Sequence, residues 1–157
     1  MSHFPIIQLC ETRQEAKDGR ISPSDLYDDA TVNYFTDYVW DEYTEEERRN
    51  FIHGEDLRKM FDGVAKVTKS GHITFFDKET ILKARKEETE RILDKLLKRR
   101  DEGRLRIDDF KYDSEDWRGY TAIFYPGYAQ MSGSFFDDAH YYAGKELWIG
   151  AVIDAHY

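Results

Sequence analysis

The stretch Glu146-Leu-Trp-Ile-Gly-Ala-Val-Ile-Asp154 (ELWIGAVID) has the residue pattern of a β-strand. Successive side chains of a strand point to opposite faces of the sheet. The residues predicted on one face are Leu147, Ile149, Ala151 and Ile153, and those on the other face are Trp148 and Val152. Because a strand that is apolar on both faces is usually covered on both sides, we predict that this segment is central in its sheet.

Shorter segments elsewhere also have strand patterns. Val64–Val67 and His72–Phe76 flank the sequence Thr-Lys-Ser-Gly, which predicts a β-hairpin because Gly71 can adopt the positive φ that such turns need. The other predicted strands are Phe4–Cys10, Tyr120–Tyr125 and Phe135–Tyr142. Together with 146–154, these segments predict an antiparallel sheet of about four to six strands.

The strongest helix signal covers Lys78–Asp101. Asp77 is a suitable N-cap, and Gly103 can end the helix. The middle of this helix, from Lys83 to Arg91, has only Ala84 as an apolar residue, so we predict that it is solvated or projects from the domain. Further helices are predicted from Ser24 to about Trp40, from Thr44 to about Phe51, and around Asp56–Phe61.

These elements predict the fold class. A length of 157 residues is typical of one domain, and 40% apolar residues suffice for a core. The predicted helices dominate residues 21–102, and the predicted strands dominate residues 104–157. We therefore predict a single α+β domain in which helices, including a long one near 78–101, pack on one face of the sheet.

The composition also limits the compartment. Cys10 is the one cysteine, so no disulfide can form within the chain. Residues 1–10 lack the pattern of a signal peptide, and no apolar stretch approaches the roughly 20 residues that cross a bilayer. We expect a cytoplasmic protein without a membrane partner.

Charge is distributed unevenly along the sequence. The formal net charge is −9, and residues 21–47 contain nine acidic residues but no lysine or arginine. Residues 78–106 contain eleven basic and seven acidic residues, a net charge of +4. An acidic chain is a poor direct ligand for nucleic acid, which itself carries a dense negative charge.

The acidic segment Asp25–Glu47 also contains many aromatic residues, and this combination predicts a protein-binding surface. Clustered carboxylates repel one another, and a positively charged partner would relieve that repulsion. Tyrosine and tryptophan are common anchors of interfaces. The candidate binding residues are Asp28, Asp29, Asp37, Asp41, Glu45, Glu46, Tyr38 and Trp40. The alternative is a solvated helix face whose aromatic residues belong to the core.

Our first functional hypothesis is therefore a non-enzymatic binding protein or inhibitor that docks on a basic surface of another protein. A helix edge rich in carboxylates can approximate the charge of DNA, so the narrower form of this hypothesis is mimicry of nucleic acid. In composition, although not in any motif, the chain resembles small acidic proteins of phages and mobile elements that block host-defence nucleases. It resembles toxin-neutralising immunity proteins in the same general way.

The second hypothesis is a small metal-dependent or acid–base enzyme. The tetrapeptide Asp-Ala-His-Tyr occurs at 138–141 and at 154–157. In a strand, Asp138 and His140 share one face, as do Asp154 and His156, so each pair offers metal ligands. A hairpin between the two copies would place the pairs on opposite faces or roughly 13 Å apart, which disfavours a shared site.

A third hypothesis is a structural or oligomerisation domain in which the long helix pairs between chains, although its polar middle disfavours a continuous coiled coil.

The sequence contains no phosphate-binding loop, paired zinc-ligand cysteines or nucleophile elbow, so we expect no cofactor. His53, His72 and Cys10 are isolated in the sequence and are more typical of surface or buried residues than of catalysts. The pattern thus favours a protein that is not an enzyme.

Overall fold

The fold is organised around β7 (Glu146–His156), which pairs antiparallel with β1 (His3–Cys10). The computed structural model describes residues 3–109 and 121–156. On its other edge, β7 pairs with β4 (His72–Phe75) near its start and with β2 (Tyr38–Glu42) near its end. The prediction that 146–154 is a central strand is therefore confirmed.

Seven strands form one mixed sheet in the described residues. Their order is β3-β4-β7-β1-β5-β6, and β2 pairs with β7 outside this path. The remaining strands are β3 (Ala65–Val67), β5 (Ala122–Phe124) and β6 (Ala129–Met131). The pair β1–β5 is parallel, and the other pairs are antiparallel. The α+β class is confirmed, but the sheet is larger than four to six strands and is not wholly antiparallel.

Six α-helices accompany the sheet in the described residues. They are α1 (Arg13–Asp18), α2 (Ala30–Phe35), α3 (Glu45–His53), α4 (Glu55–Met60), α5 (Lys78–Asp101) and α6 (Ser132–Asp137). Two 3-10 turns cover Pro23–Leu26 and Ala139–Tyr142. The predicted long helix is confirmed with its cap, because the Asp77 side chain accepts a hydrogen bond from the Thr80 amide. Strands and helices alternate along the chain more than predicted: β2, β3 and β4 lie within 21–102, and α6 lies within 104–157.

The predicted helix from Ser24 to Trp40 is wrong, because three separate elements occupy this range. Asp29 accepts hydrogen bonds from the amides of Thr31 and Val32, so α2 starts there as an independent helix. After α2, residues 38–42 form β2 against the free edge of β7. Their aromatic and β-branched side chains suit a strand, and pairing with β7 decides the outcome.

The predicted strand Phe135–Tyr142 is also wrong, because this range contains the second half of α6 and a 3-10 turn. Phe135 and Phe136 are consecutive and fully buried in the same core cluster. In a strand these two side chains would point to opposite faces. A helix separates them by only about 100°, so both rings can enter one core.

A β-bulge in β7 changes which face its side chains occupy. Ile7 pairs with Val152 but Leu9 pairs with Ile149, so β7 contains one more residue than β1 in this interval. Leu147 and Ile149 consequently face the first core cluster, whereas Ala151 and Ile153 face the second. The prediction that these four residues share one face is wrong for this reason.

Gln8 and Arg48 stabilise the bulge. The Gln8 side-chain oxygen accepts hydrogen bonds from the Ala151 amide (3.0 Å) and the Ile21 amide (3.1 Å). Arg48 donates to the carbonyls of Gly150 (2.7 Å) and Ile149 (2.6 Å). A Cβ at Gly150 would lie 2.4 Å from the Gln8 oxygen, so a larger residue there would displace the Gln8 side chain from its hydrogen bonds. These contacts satisfy backbone groups that the bulge removes from the β-ladder.

Both faces of the sheet are covered, so the prediction of helices on one face is wrong. The larger core cluster includes buried residues of α3, α4, α5 and α6, such as Ile52, Leu57 and Ile81. The second cluster lies on the opposite face, since it contains Ile6 while its strand neighbour Ile7 belongs to the first. Leu26 and Val32, from the first 3-10 turn and α2, cover this second face.

Most of the polar middle of α5 is exposed, as predicted, but one side of it packs against the domain. Glu88 is buried, and Arg85 donates to its carboxylate at 2.7 Å and to that of Asp137 in α6. Gly63 allows close approach at this point, because its φ is +73° and a Cβ there would lie 2.6 Å from the Ala84 Cβ. A buried polar side chain is tolerated because it is paired.

Candidate functional site

The aromatic residues of the acidic segment are on the surface rather than in the core. Tyr34 is 82% exposed, Trp40 is 56% exposed and Tyr38 is 37% exposed. Tyr27 and Phe35 are exposed as well. By contrast, Tyr43 is half-buried and packs against the larger core cluster. The alternative interpretation of this segment was a solvated helix face whose aromatic residues belong to the core. That alternative is wrong for the five exposed residues, because their side chains face solvent.

The candidate acidic residues divide into two groups. Asp28, Asp37, Asp41 and Glu46 are exposed, and within the described residues their side chains form no hydrogen bond or ion pair. Asp29, besides capping α2, accepts a hydrogen bond from the Ala129 amide (2.7 Å) and so joins this segment to β6. Glu45 pairs with Arg20, which holds the pKa of this carboxyl below its usual range.

Asp29 and Glu45 therefore support the fold. The carboxylates of Asp28, Asp37, Asp41 and Glu46 remain exposed to solvent. We define the acidic aromatic surface as eight exposed residues of this segment, namely Asp28, Tyr34, Phe35, Asp37, Tyr38, Trp40, Asp41 and Glu46. Phe35 and Tyr38 are three positions apart, so α2 and β2 present their aromatic rings within about 10 Å of chain length. Within the described residues, β2 pairs with β7 on one edge, and no strand pairs with its other edge.

A second feature lies where β1, β2 and β7 meet, and it contains His3, Asp154 and His156. The His3 Nδ1 atom is 2.8 Å from the Asp154 Oδ2 atom, and the His156 Nε2 atom is 3.6 Å from the same oxygen. One potential ligand atom from each residue lies within 4.8 Å of the other two. We call these three residues the histidine–aspartate cluster.

Strand register assembles the histidine–aspartate cluster. His3 pairs directly with His156 across the β1–β7 ladder, and Asp154 lies two residues earlier on the same face. On the other edge of β7, Tyr38 pairs with His156, and the two rings stack at 4.6 Å. Trp40 lies 5.2 Å from the same imidazole. The cluster is therefore next to the acidic aromatic surface.

The two Asp-Ala-His-Tyr segments are not brought together. Asp154 and His156 lie in β7, but Asp138 and His140 lie at the 3-10 turn after α6, so a four-residue site does not form. His3 takes part instead, and the sequence reasoning missed it. An alignment of 3–10 with 146–156 as antiparallel strands would have placed His3 opposite His156, but the sequence alone does not fix that register.

Cys10 is buried, and burial raises the pKa of its thiol to about 12, with Glu15 adding to the effect. A thiolate is the reactive form of cysteine, so Cys10 is unsuited to nucleophilic chemistry. His72 stacks on Trp148 at 4.8 Å and lies 3.2 Å from the Glu146 carboxylate, in agreement with a structural role.

A basic pocket of about 380 Å³ lies beside α1. Its cationic lining comes from Arg13, Lys17, Arg20 and Arg48. Arg48 is bound to the two carbonyls of the bulge, and burial together with Arg20 lowers the pKa of its guanidinium. Arg20 donates to the Ala16 carbonyl and to Glu45. The hydrogen-bonding groups of Arg20 and Arg48 are thus used within the protein itself.

Comparison with known proteins identifies no relative: no family model, curated protein or solved structure matches this chain. Among the helices of the described residues, none combines the length and the apolar character that crossing a membrane requires.

Proposed function

We propose that this chain is a non-enzymatic binding protein that docks its acidic aromatic surface on a basic surface of a partner protein. The supporting observation is the exposure of Tyr34, Tyr38 and Trp40 within a segment that has nine acidic residues and no basic one. We further propose that it acts in the cytoplasm.

The aromatic side chains supply the first argument for a protein partner. A solvent-exposed tryptophan or tyrosine gains free energy when a partner removes its apolar area from water. Tyr34 contacts Phe35 edge-on with ring centroids 4.8 Å apart, and Tyr38 contacts Trp40 at 5.6 Å. Rings that already pack on one another lose little conformational freedom on binding, and this suits them as interface anchors.

The charges supply the second argument, and they specify the partner as basic. Asp28, Asp37, Asp41 and Glu46 have no internal cation to neutralise them within the described residues. A basic partner would reduce their mutual repulsion and would be attracted from a distance. The narrower proposal is that the basic surface is a nucleic-acid site, such as that of a host-defence nuclease, which this chain occupies in place of nucleic acid.

The test is a capture experiment with purified protein, immobilised through a flexible N-terminal linker, in lysate at low and high salt. Two variants change the proposed surface, Tyr38→Ala with Trp40→Ala and Asp37→Lys with Asp41→Lys. Two matched controls change exposed residues elsewhere, Tyr128→Ala with Tyr141→Ala and Glu87→Lys with Asp94→Lys. Melting temperatures of all four variants establish that they are folded.

The proposal predicts a basic protein that wild type and both controls retain at low salt and that both surface variants lose. Release by duplex DNA supports the nucleic-acid mimic, and release by salt alone supports a different basic surface. A protein retained equally by all variants is not a partner of this surface. If no protein is lost specifically from the surface variants, the proposal is wrong.

A further inference from the structure

We propose that the histidine–aspartate cluster, His3, Asp154 and His156, is a binding site for a divalent transition-metal ion of the Zn²⁺ class. This proposal is independent of the partner-binding proposal, because it depends on the positions of three side chains and not on the acidic aromatic surface. The two features are neighbours, so a bound ion would sit beside Tyr38 and Trp40.

The distances fit a metal ion with small adjustments. Ligand atoms at about 2.0–2.2 Å from a tetrahedral ion lie about 3.3–3.5 Å from one another. The two distances to the Asp154 Oδ2 atom are 2.8 Å from His3 and 3.6 Å from His156. Both differ from the tetrahedral spacing by less than about 1 Å. The two histidine ligand atoms lie within 4.8 Å of each other, so the exposed His3 side chain has to rotate toward the other two ligands to admit the ion.

His156 provides the second, independent observation. Its side chain is buried, with 4% of the residue exposed, yet neither ring nitrogen has a hydrogen-bond partner in the described residues. A buried polar atom without a partner is costly, and such atoms are rare in folded proteins. The Nε2 atom is the one that lies 3.6 Å from Asp154, so an ion bound there would satisfy it.

The donor set determines the class of metal. Imidazole nitrogen suits Zn²⁺, Co²⁺, Ni²⁺ and Cu²⁺, whereas Mg²⁺ and Ca²⁺ prefer oxygen donors. Two histidines and one carboxylate leave at least one coordination position for water or another ligand. The His3 side chain is 57% exposed while those of Asp154 and His156 are 19% and 5% exposed, so the ion can enter from the His3 side.

A bound ion would join the start of β1 to the end of β7, two strands that are neighbours in the sheet. His3 lies at the start of β1, and His156 lies at the end of β7, 153 residues later in the chain. Binding to the folded state and not to the unfolded chain stabilises the fold in proportion to the logarithm of the ion concentration. The site therefore predicts a melting temperature that rises with Zn²⁺.

The experiment uses the full chain without a polyhistidine tag, titrated with ZnCl₂ in a calorimeter and with CoCl₂ in a spectrophotometer, with MgCl₂ as the reference salt. His3→Ala removes the most exposed ligand. Asp154→Asn keeps the size of the side chain but removes its charge. The matched control is His140→Ala, which changes the histidine of the other Asp-Ala-His-Tyr segment.

We expect one Zn²⁺ per chain, no response to Mg²⁺, and Co²⁺ absorption typical of a four-coordinate site. His3→Ala and Asp154→Asn should each weaken Zn²⁺ binding by at least about tenfold, and His140→Ala should leave it unchanged. Absence of Zn²⁺ and Co²⁺ binding to the wild type would overturn the proposal. Binding that His3→Ala and Asp154→Asn leave intact would also overturn it, because the ion would then lie elsewhere.

Discussion

β4 and β2 pair with the same edge of β7, yet they differ in what they bury. β4 alternates between partly exposed and buried residues and places Ile73 and Phe75 in the larger core cluster. β2 has no fully buried residue, and Tyr38 and Trp40 face solvent. Packing in the core accounts for the apolar residues of β4. It does not account for the two exposed aromatic residues of β2, which lie among acidic residues.

The difference also concerns the backbone. β4 is covered on its outer edge by β3, which makes it an interior strand. Within the described residues β2 has no strand on its outer edge. Exposed edges can pair with other chains, and proteins commonly protect them with charged residues. Asp41 and Glu42 provide such protection in β2. β4 therefore contributes to the core, whereas β2 leaves its side chains exposed and its outer edge unpaired with another strand.

The largest expected effect is on the buried strand. Ile73 is fully buried, so Ile73→Ala should lower the free energy of unfolding by about 2–5 kcal/mol. The reason is the loss of apolar burial together with the cavity that remains. Urea unfolding followed by circular dichroism measures this. A cost below about 1 kcal/mol would mean that β4 contributes little to the core and would remove the contrast with β2.

The next effect concerns the bulge in β7, which separates the part of β7 that pairs with β4 from the part that pairs with β2. Gln8→Leu removes the acceptor for the amides of Ala151 and Ile21, and it leaves these buried groups unpaired. We expect a loss of about 2–4 kcal/mol in the same unfolding experiment. Gln14→Leu, on the exposed side of α1, is the control and should cost less than about 1 kcal/mol.

The matching substitution on the exposed strand should have a small effect on stability. Trp40→Ala should cost about 1 kcal/mol or less, because the side chain is already largely in water. The same variant should greatly weaken capture of the partner. If Trp40→Ala destabilises the protein as much as Ile73→Ala does, Trp40 is a core residue and the proposed surface loses its main support.

The smallest effect tests an exposed charge at the β4 end of β7. Hydrogen bonds from Tyr125 and then Lys145 lower the pKa of the Glu11 carboxyl from its ordinary 4.5. Such a group adds stability above its ordinary pKa, and this contribution is lost as pH falls through the lowered value. Glu11→Gln should therefore cost less than about 1 kcal/mol near pH 7, with the difference disappearing in acid. A difference that grows in acid would contradict this assignment.

Local signals in the sequence predicted part of the fold. The Asp77 cap and the charge pattern that follows it identify α5 with its observed ends. Gly71 and its flanking strands identify the hairpin of β3 and β4, and the apolar stretch 146–154 identifies the central strand. In each case the signal lies within the element itself, so no long-range contact was needed to recognise it.

The errors depend on contacts between distant parts of the chain. β2 forms because β7 has a free edge, and residues 38–40 in isolation are compatible with the end of a helix. The bulge depends on Gln8, which is more than 140 residues away from Ala151. His3 joins the histidine–aspartate cluster through the register of β1 with β7. The acidic aromatic segment was recognised from composition, but its exposure was decided by packing.

The most direct test of the partner-binding account is site-specific photocrosslinking in living cells. A photoreactive benzoylphenylalanine replaces Tyr34 in one variant and Tyr141 in another, since both residues are exposed tyrosines on different elements. The account predicts a crosslink from position 34, mapped to a lysine- and arginine-rich surface of one partner protein, and none to that protein from position 141. Equal crosslinking from both positions, or none from position 34, would contradict it.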